Sequence, residues 1–594
     1  MIGVRIPKSL SIEKLKNMYA DKECTPKEVI TEIINRSQAD THMNIWITPP
    51  SMDMIQPYLD RLEKKSPFDA PLWGIPFAIK DNIDMAGIPT TVGCPDYAYI
   101  PETHATVVER LVEAGAIPIG KTNLDQFATG LVGVRSPYGE THNSLRPELI
   151  SGGSSSGSAV AVARGHAAFS LGTDTAGSGR VPASLNNLVG YKPSLGAWPV
   201  KGVVPACASL DCVTAFTQTL DDALIVDRIA RGLDEEDQWS KTIPIPIPVL
   251  PKKICLPKEP IHFFGPYAVE YKKAWESSIE KIKTMNIPIE YIDTQLFSEI
   301  AAILYDGPWI AERWSEIGHF IESQPPNTAF PITEEVLRLG SGSTYSASSV
   351  FKAMHKIQLA RHQTKKRLED AVLIMPTVGG TWLREQVRED PIETNSQMGY
   401  YTNHCNLLDL CAVALPSGFA EENTPFGITF FARSDSESLI CGLGDLYIKQ
   451  VSSSNKNNTL LVSVCGLHMR GYPLEEQMHE CGATFIREDM TAPKYQMIKL
   501  PTVPHKPGLI KKQDGGASIH IELWEMPIEK LGKLVASIPS PLGFGKIELQ
   551  SGEEVAGFIC EAFAATTSQD ITELGSWRNL PVHGDRWRPL KNAP

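Results

Sequence analysis

Nothing in this 594-residue chain approaches the ~20 consecutive apolar residues that a membrane-spanning helix needs. The N-terminal stretch "MIGVRIPKSLSIEKLKNMY" also lacks an apolar core of secretory-leader length. The eleven cysteines include no CxxC and no ladder of regular spacings, the closest pair being Cys207 and Cys212. Neither a disulfide framework nor a thiolate metal centre is therefore indicated. Positive charge is in deficit: 56 Lys and Arg stand against 69 Asp and Glu, a net charge of −13, which argues against nucleic acid as the main partner. There is no internal repeat and no coiled-coil pattern. These absences predict a cytoplasmic protein with reduced thiols and no membrane partner, and no metal cluster is visible.

What is present suits a large core: 42% of the residues are hydrophobic and 21% charged, in a chain long enough for more than one domain. Ser11 and the pair Thr25-Pro26 read as helix starts. "LWGIPFAIKDNIDMAG" (72–87) contains a short apolar run of buried-strand type, and "ATVVERLVEAGAIPIGKTNLDQFA" (105–128) reads helix, glycine stop, strand. That alternation predicts an α/β core. The proline-dense "SKTIPIPIPVLPKKICLPKEP" (240–260) reads as an extended surface connection, because proline lacks a backbone donor. Helices are expected over 267–370, and "AVLIMPTVGG" and "NLLDLCAVALPSGF" return to strands. The polar "VSSSNKNNT" (451–459) is the expected linker between a domain at 1–450 and a second at 460–594, whose end, "GSWRNLPVHGDRWRPLKNAP", reads as a partly ordered tail.

The chemistry concentrates in "GGSSSGSAVAVARGHAAFSLGTDTAGSGR", Gly152 to Arg180. A phosphate loop would need GxxxxGK[ST], and no lysine follows before Lys192. A Ser-His-Asp triad would recruit His166, but this histidine sits in an alanine-rich helical run, and no GxSxG elbow is present. The third route is a lysine base. Lys80 follows "GIPFAI" directly and so emerges at the end of a buried strand, where desolvation lowers an amine's pKa by up to ~3–5 units. Position alone leaves Lys80 open between that role and an ordinary solvated strand end.

"GIPFAIKDNID", "GKTNLDQFATG", "GGSSSGSA" and "LGTDTAGSGR" in this order, followed by "VLIMPT", "DLCAVALPSGF" and "TPFGITFFA", resemble the amidase signature family over residues 10–445. The resemblance implies an α/β/α core with a mixed central sheet wrapped by helices, and amide hydrolysis by a Ser-cisSer-Lys triad, which needs no cofactor. It makes Ser178 the nucleophile, Ser154 the bridging serine after a cis peptide, and Lys80 the base. Backbone N–H groups of Thr175, Ala176, Gly177 and Ser178 would then surround the oxyanion. Arg180 and Asp174 are expected to brace that loop, and Ser155, Ser156 and Ser158 to hydrogen-bond it.

"FATGLVGVRSPYG" (127–139) and "ILYDGPWIAERW" (303–314) resemble the allophanate hydrolase branch. In the second stretch Tyr305 and Arg313, eight apart, are expected on one face of a helix, with the guanidinium free to hold a small carboxylate. The alternative pairs Arg313 with Glu312 or Glu316. Gly130 offers either close backbone approach to substrate or a plain turn.

Within 460–594, "LLVSVCGLHMRGYPLEEQMHECGATFI" and "GASIHIELWEMPIEKLGKLVASIPSPLGFGKIEL" resemble the C-terminal domain of the same branch, a smaller α+β unit similar to the γ-glutamylcyclotransferase fold. Pro539, Ser540 and Pro541 stand where cyclotransferases carry their catalytic glutamate, so that activity is not expected. The resemblance implies instead decarboxylation of N-carboxycarbamate. His505, between prolines in "LPTVPHKPGLI", is the expected proton donor or anion binder, with His468 and Arg470 as further candidates. The implied partner is a biotin-dependent urea carboxylase, separate or fused, and a homodimer is the expected assembly. The rival readings are a general small-amide amidase, a Glu-tRNA amidotransferase-like subunit, and a non-enzymatic scaffold.

Overall fold

The apolar runs of the first three-quarters of the chain become eleven strands of one mixed sheet: β1 Trp46–Thr48, β2 Pro76–Lys80, β3 Ile117–Thr122, β4 Phe169–Asp174, β5 Val189–Lys192, β6 Cys212–Thr217, β7 Lys253–Pro257, β8 Ile289–Ile292, β9 Ala371–Pro376, β10 Leu410–Glu421 and β11 Thr424–Arg433. They lie in the order β1-β3-β2-β4-β6-β5-β10-β11-β9-β7-β8. This computed structural model describes residues 6–64, 70–305, 307–342, 345–456 and 459–580, so the reading of the C-terminal tail lies outside the described residues from 581 onward. The chain divides into two compact units at Lys449/Gln450, and helix Glu437–Lys456 spans that division in sequence.

Local signals act as expected near the start. Ser11 caps helix Ile12–Ala20, and Thr25 forms a reciprocal capping box with Glu28 at the head of Pro26–Ala39. Strands β2 and β4 are buried along their whole length; β2 reads as an apolar run in the sequence, whereas β4 (FSLGTD) buries Ser170, Thr173 and Asp174 and begins inside the stretch expected to be helical. They are parallel neighbours, with Ile79 opposite Leu171. Their C-terminal ends, Lys80 and Thr173–Asp174, therefore emerge together at one edge of the sheet. Helix Ser156–Ala163, buried from Ser156 to Val162, connects the serine-rich loop to β4.

One expectation is corrected here. Residues 240–252 carry no regular structure and expose Ile245 and Ile247, but Lys253–Pro257 is an interior strand that pairs in parallel with β8 and β9. Pro251 precedes the strand and Pro257 is its last residue, so the N–H groups of Lys253 to Leu256 remain for the ladder.

The second unit holds a five-stranded sheet, in which β12 Thr459–Val464 pairs with the strands His520–Pro527 and Glu554–Cys560, and a separate three-stranded sheet. Helices Glu475–Glu480 and Ile528–Ala536 accompany them, giving an α+β unit.

Candidate active site

Lys80 is fully buried, and its Nζ lies 2.7 Å from both Ser154 Oγ and Thr173 Oγ1. Among the described residues no carboxylate pairs with it. Burial therefore dominates and lowers its pKa to about 7, opposed by the more distant charges of Asp211, Asp125 and Asp174. Lys121 shows the contrast: it is equally buried, but sits 3.1 Å from the Asp81 carboxylate. The peptide bond Gly153–Ser154 is cis. Space demands glycine there, since a Cβ on Gly153 would fall on Asp125 Oδ2. The other serines of the stretch hold the loop: Ser155 Oγ donates to Thr173 O, and Ser158 Oγ to Leu171 O.

Ser178 lies in the loop that leaves β4, 3% exposed. Among the described residues its hydroxyl makes no hydrogen bond, so the structure brings Lys80 to Ser154 but does not join Ser154 to Ser178. The serine-rich loop does touch the short helix Val181–Leu185 that follows the Ser178 loop, because a Cβ on Gly152 would meet Pro182 at 2.9 Å and Asn186 Nδ2 at the helix end donates to Ser151 O. A buried bidentate pair braces the Ser178 loop: Arg180 Nε and Nη2 donate to Asp174 at 2.9 and 3.0 Å, and Asp174 Oδ2 also accepts from Gly179 N. Asp211 accepts from the Thr175 hydroxyl, and Asn406 Nδ2 donates to Asp174 O at 2.7 Å. The backbone N–H groups of Thr175, Ala176, Gly177 and Ser178 have no protein acceptor among the described residues, and Gly177 keeps φ at +159° where a Cβ would strike Thr402. Four donors so held can receive a developing oxyanion.

His166 lies beyond the end of helix Ser156–Ala163 and not in a helical run as expected, because the chain turns at Arg164-Gly165 into β4, and its own partners exclude it from this chemistry. Trp46 Nε1 donates to its Nδ1, and its Nε2 bonds Asp40 at 3.0 Å.

Tyr305 and Arg313 meet, but not by the expected route. Helix Ile310–Ser323 carries Arg313, whereas Tyr305 stands in a turn before it. Gly307-Pro308 separates them: proline supplies no N–H to a preceding turn, and the helix opens only after it. Arg313 Nη2 donates to Tyr305 Oη at 3.1 Å and Nη1 to Thr129 Oγ1 at 3.1 Å. The side chain is 1% exposed, its Nε has no partner, and neither Glu312 nor Glu316 pairs with it. Glu312 instead accepts from Ser209 N and Oγ. Gly130 follows Thr129, and a Cβ there would meet Asp125 Oδ2 at 2.6 Å. Asp125 connects the two halves of the site, since its N–H donates to Ser154 O while Oδ2 accepts from Val132 and Gly133.

In the second unit His505 is exposed, with Nδ1 bonded to Leu500 O at 3.0 Å. It does not line the nearby cavity of about 240 Å³, which is formed by His468, Gln477, Lys506, Ser537 and apolar neighbours. Arg470 is committed elsewhere, to Glu522 and Glu488. Among the described residues no group of three or more His, Cys, Asp or Glu side chains is placed to hold a metal ion.

The residues that sequence reasoning missed are Thr173, Asp125, Thr129, Asp211 and Asn406. The first three lie inside motifs already singled out, and the last two reach the site only through long-range contacts.

Residues 28–441 match the amidase family, and residues 460–581 match the allophanate hydrolase C-terminal domain. The chain is 38% identical over 572 residues to the urea amidolyase of Saccharomyces cerevisiae, covering 90% of this chain and 31% of that one. It thus spans about a third of that relative's length. A glutamyl-tRNA(Gln) amidotransferase subunit from Halothermothrix orenii is 32% identical, covering 73% of this chain and 95% of that one. Among solved structures, the selenomethionine-substituted allophanate hydrolase of Kluyveromyces lactis superposes with a TM-score of 0.70 at 37% identity, covering 96% of this chain and 98% of that one. With both domain models matched and a solved allophanate hydrolase at 37% identity, the chain belongs to the amidase family as an allophanate hydrolase-type amidohydrolase.

Proposed function

We propose that the chain hydrolyses allophanate, and that the buried Arg313 guanidinium, without a carboxylate partner among the described residues, receives the substrate's carboxylate. That observation carries the reading, because a general amidase has no use for an uncompensated buried cation beside its catalytic loop. Neutral Lys80 takes the Ser154 proton as Ser154 takes that of Ser178, and Ser178 attacks the terminal amide carbonyl. The N–H groups of Thr175, Ala176 and Gly177 hold the oxyanion, and the relay returns a proton to departing ammonia. Water then releases the acyl group as N-carboxycarbamate. Gly130 places its backbone beside the bound carboxylate.

Loss of carbon dioxide from N-carboxycarbamate requires one proton on nitrogen, giving carbamate, and His505 supplies it in the second unit, its Nε2 left available by the Leu500 bond. The resemblance supports a biotin-dependent urea carboxylase as the source of substrate, a homodimer as the assembly, and the cytoplasm as the compartment. The eleven cysteines are all free and buried, as reduced thiols are. Among the described residues no helix is long and apolar enough to cross a membrane.

The direct test is ammonia release from allophanate, malonamate and neutral small amides side by side; a preference for the neutral amides would favour the general amidase instead. Arg313→Ala is expected to raise the allophanate KM about 10–100-fold while neutral amides lose far less, and equal losses would remove the carboxylate role. His505→Asn should leave the first ammonia unchanged and slow carbon dioxide release about tenfold or more. Unchanged carbon dioxide release would exclude His505 as the donor.

A further inference from the structure

A second buried guanidinium converges on the same threonine. Arg135 is 1% exposed; its Nη1 donates to Thr129 O at 3.2 Å and its Nη2 to Pro391 O at 2.6 Å, while its Nε has no partner. Arg313 takes the hydroxyl of that residue and Arg135 its carbonyl. Among the described residues neither arginine has a carboxylate within ion-pair distance. The acids nearby have other partners: Asp125 accepts from the backbone N–H groups of Val132, Gly133 and Arg135 itself, Asp211 from Thr175, Ala206 and Cys207, and Glu312 from Ser209, and none of them bonds either guanidinium.

Two buried like charges sharing one small residue repel each other, and carbonyl dipoles compensate a cation only in part. An arriving anion relieves both. A neutral amide group of the same size would relieve neither, so the pair discriminates by charge where shape cannot. Arg135 also sets geometry. Its hold on the Thr129 carbonyl anchors the backbone of the residue whose hydroxyl donates to Phe127 O and accepts from Arg313, and its Cδ would lie 3.1 Å from a Cβ on Gly130.

We infer that Arg135 is a positioning residue for the carboxylate end of the site, which selects an anionic amide over its neutral isostere by orienting Arg313 through Thr129 and adding a second buried positive charge. The inference rests on the reading of Arg313 as the carboxylate anchor. A purely structural Arg135 would instead only clip the Thr129–Arg135 loop to the segment at Pro391.

The test uses the full chain with Arg135→Met, Arg135→Lys and, should the first fail to fold, Thr129→Val. Steady-state ammonia release from allophanate is measured together with calorimetric binding of malonamate and malonamide to the Ser178→Ala protein carrying each change. Arg135→Met is expected to raise the allophanate KM about tenfold or more with kcat within about threefold, to weaken malonamate binding in proportion, and to leave malonamide binding unchanged. Arg135→Lys keeps the charge and should restore KM to within about threefold of the parent. Thr129→Val should repeat the KM-led loss. A loss confined to kcat, equal weakening of both ligands, or a lysine variant no better than methionine would overturn the inference. If the parent chain binds malonamate selectively yet does not turn over allophanate, the proposed reaction fails while the anion site stands.

Discussion

Replacing Ser178 by alanine is expected to lower ammonia release from allophanate by about 10⁴-fold or more, with the residual rate left to the oxyanion donors and substrate positioning. The size of the effect follows from the site having one uncommitted nucleophile. Ser154 is fully buried and hydrogen-bonded to Lys80, whereas the Ser178 hydroxyl makes no protein hydrogen bond among the described residues. The loop that carries Ser178 is held by Asp174, Arg180, Asp211 and Asn406, none of which bonds its side chain. The substitution should therefore leave the melting temperature and the binding of malonamate unchanged while turnover disappears. Turnover within about tenfold of the parent would remove Ser178 as nucleophile.

Among the described residues of the amidase unit three lysines are completely buried, Lys80, Lys121 and Lys192. In the sequence only the family motif distinguishes Lys80 from the other two. Physically they differ in what answers their charge: Asp81 for Lys121, backbone carbonyls of Pro193 and Leu410 for Lys192, and only hydroxyls for Lys80. Most such partners lie tens to hundreds of residues away, and no local pattern reveals them. Local chemistry is legible where it is local. The caps at Ser11 and Thr25 and the buried strands β2 and β3 follow from spacing and composition. The corrections at Lys253–Pro257 and at Tyr305 are local as well. Proline density around Lys253–Pro257 argues against the very strand that the prolines bracket, and eight-residue spacing places Tyr305 and Arg313 on one helix only if the Gly307-Pro308 break is ignored. The meeting of Thr129, Arg135 and Arg313 is not legible, because Thr129 and Arg313 stand 184 positions apart and the motif residues give no sign of sharing a partner.

Lys80→Met is expected to separate activity from stability in opposite directions. Loss of the base should cost about 10²–10⁴-fold in kcat/KM. Because burial holds the amine at about 7, kcat/KM of the parent should rise with pH up to that value and level off above it, as the neutral form becomes the resting state. The variant should lack this limb, and a limb of the same midpoint in Lys80→Met would assign it to another group. The stability consequence has a definite sign. The folded-state value lies below the ordinary 10.5, so between about 7 and 10.5 the unfolded chain binds a proton that the folded chain does not, and the stability of the parent rises with pH across that window. Methionine fills the same space without a charge to desolvate. It should stabilise the amidase unit by an amount of the order of a few kcal/mol at pH 7 and below, with the advantage shrinking as the pH approaches 10.5. Thermal melts of the two proteins at about pH 7 and about pH 9.5 read this directly. A variant less stable than the parent at pH 7 would mean that the hydroxyls of Ser154 and Thr173 stabilise Lys80 more than its burial costs, and the lysine would then be structural support for the loop before it is a base.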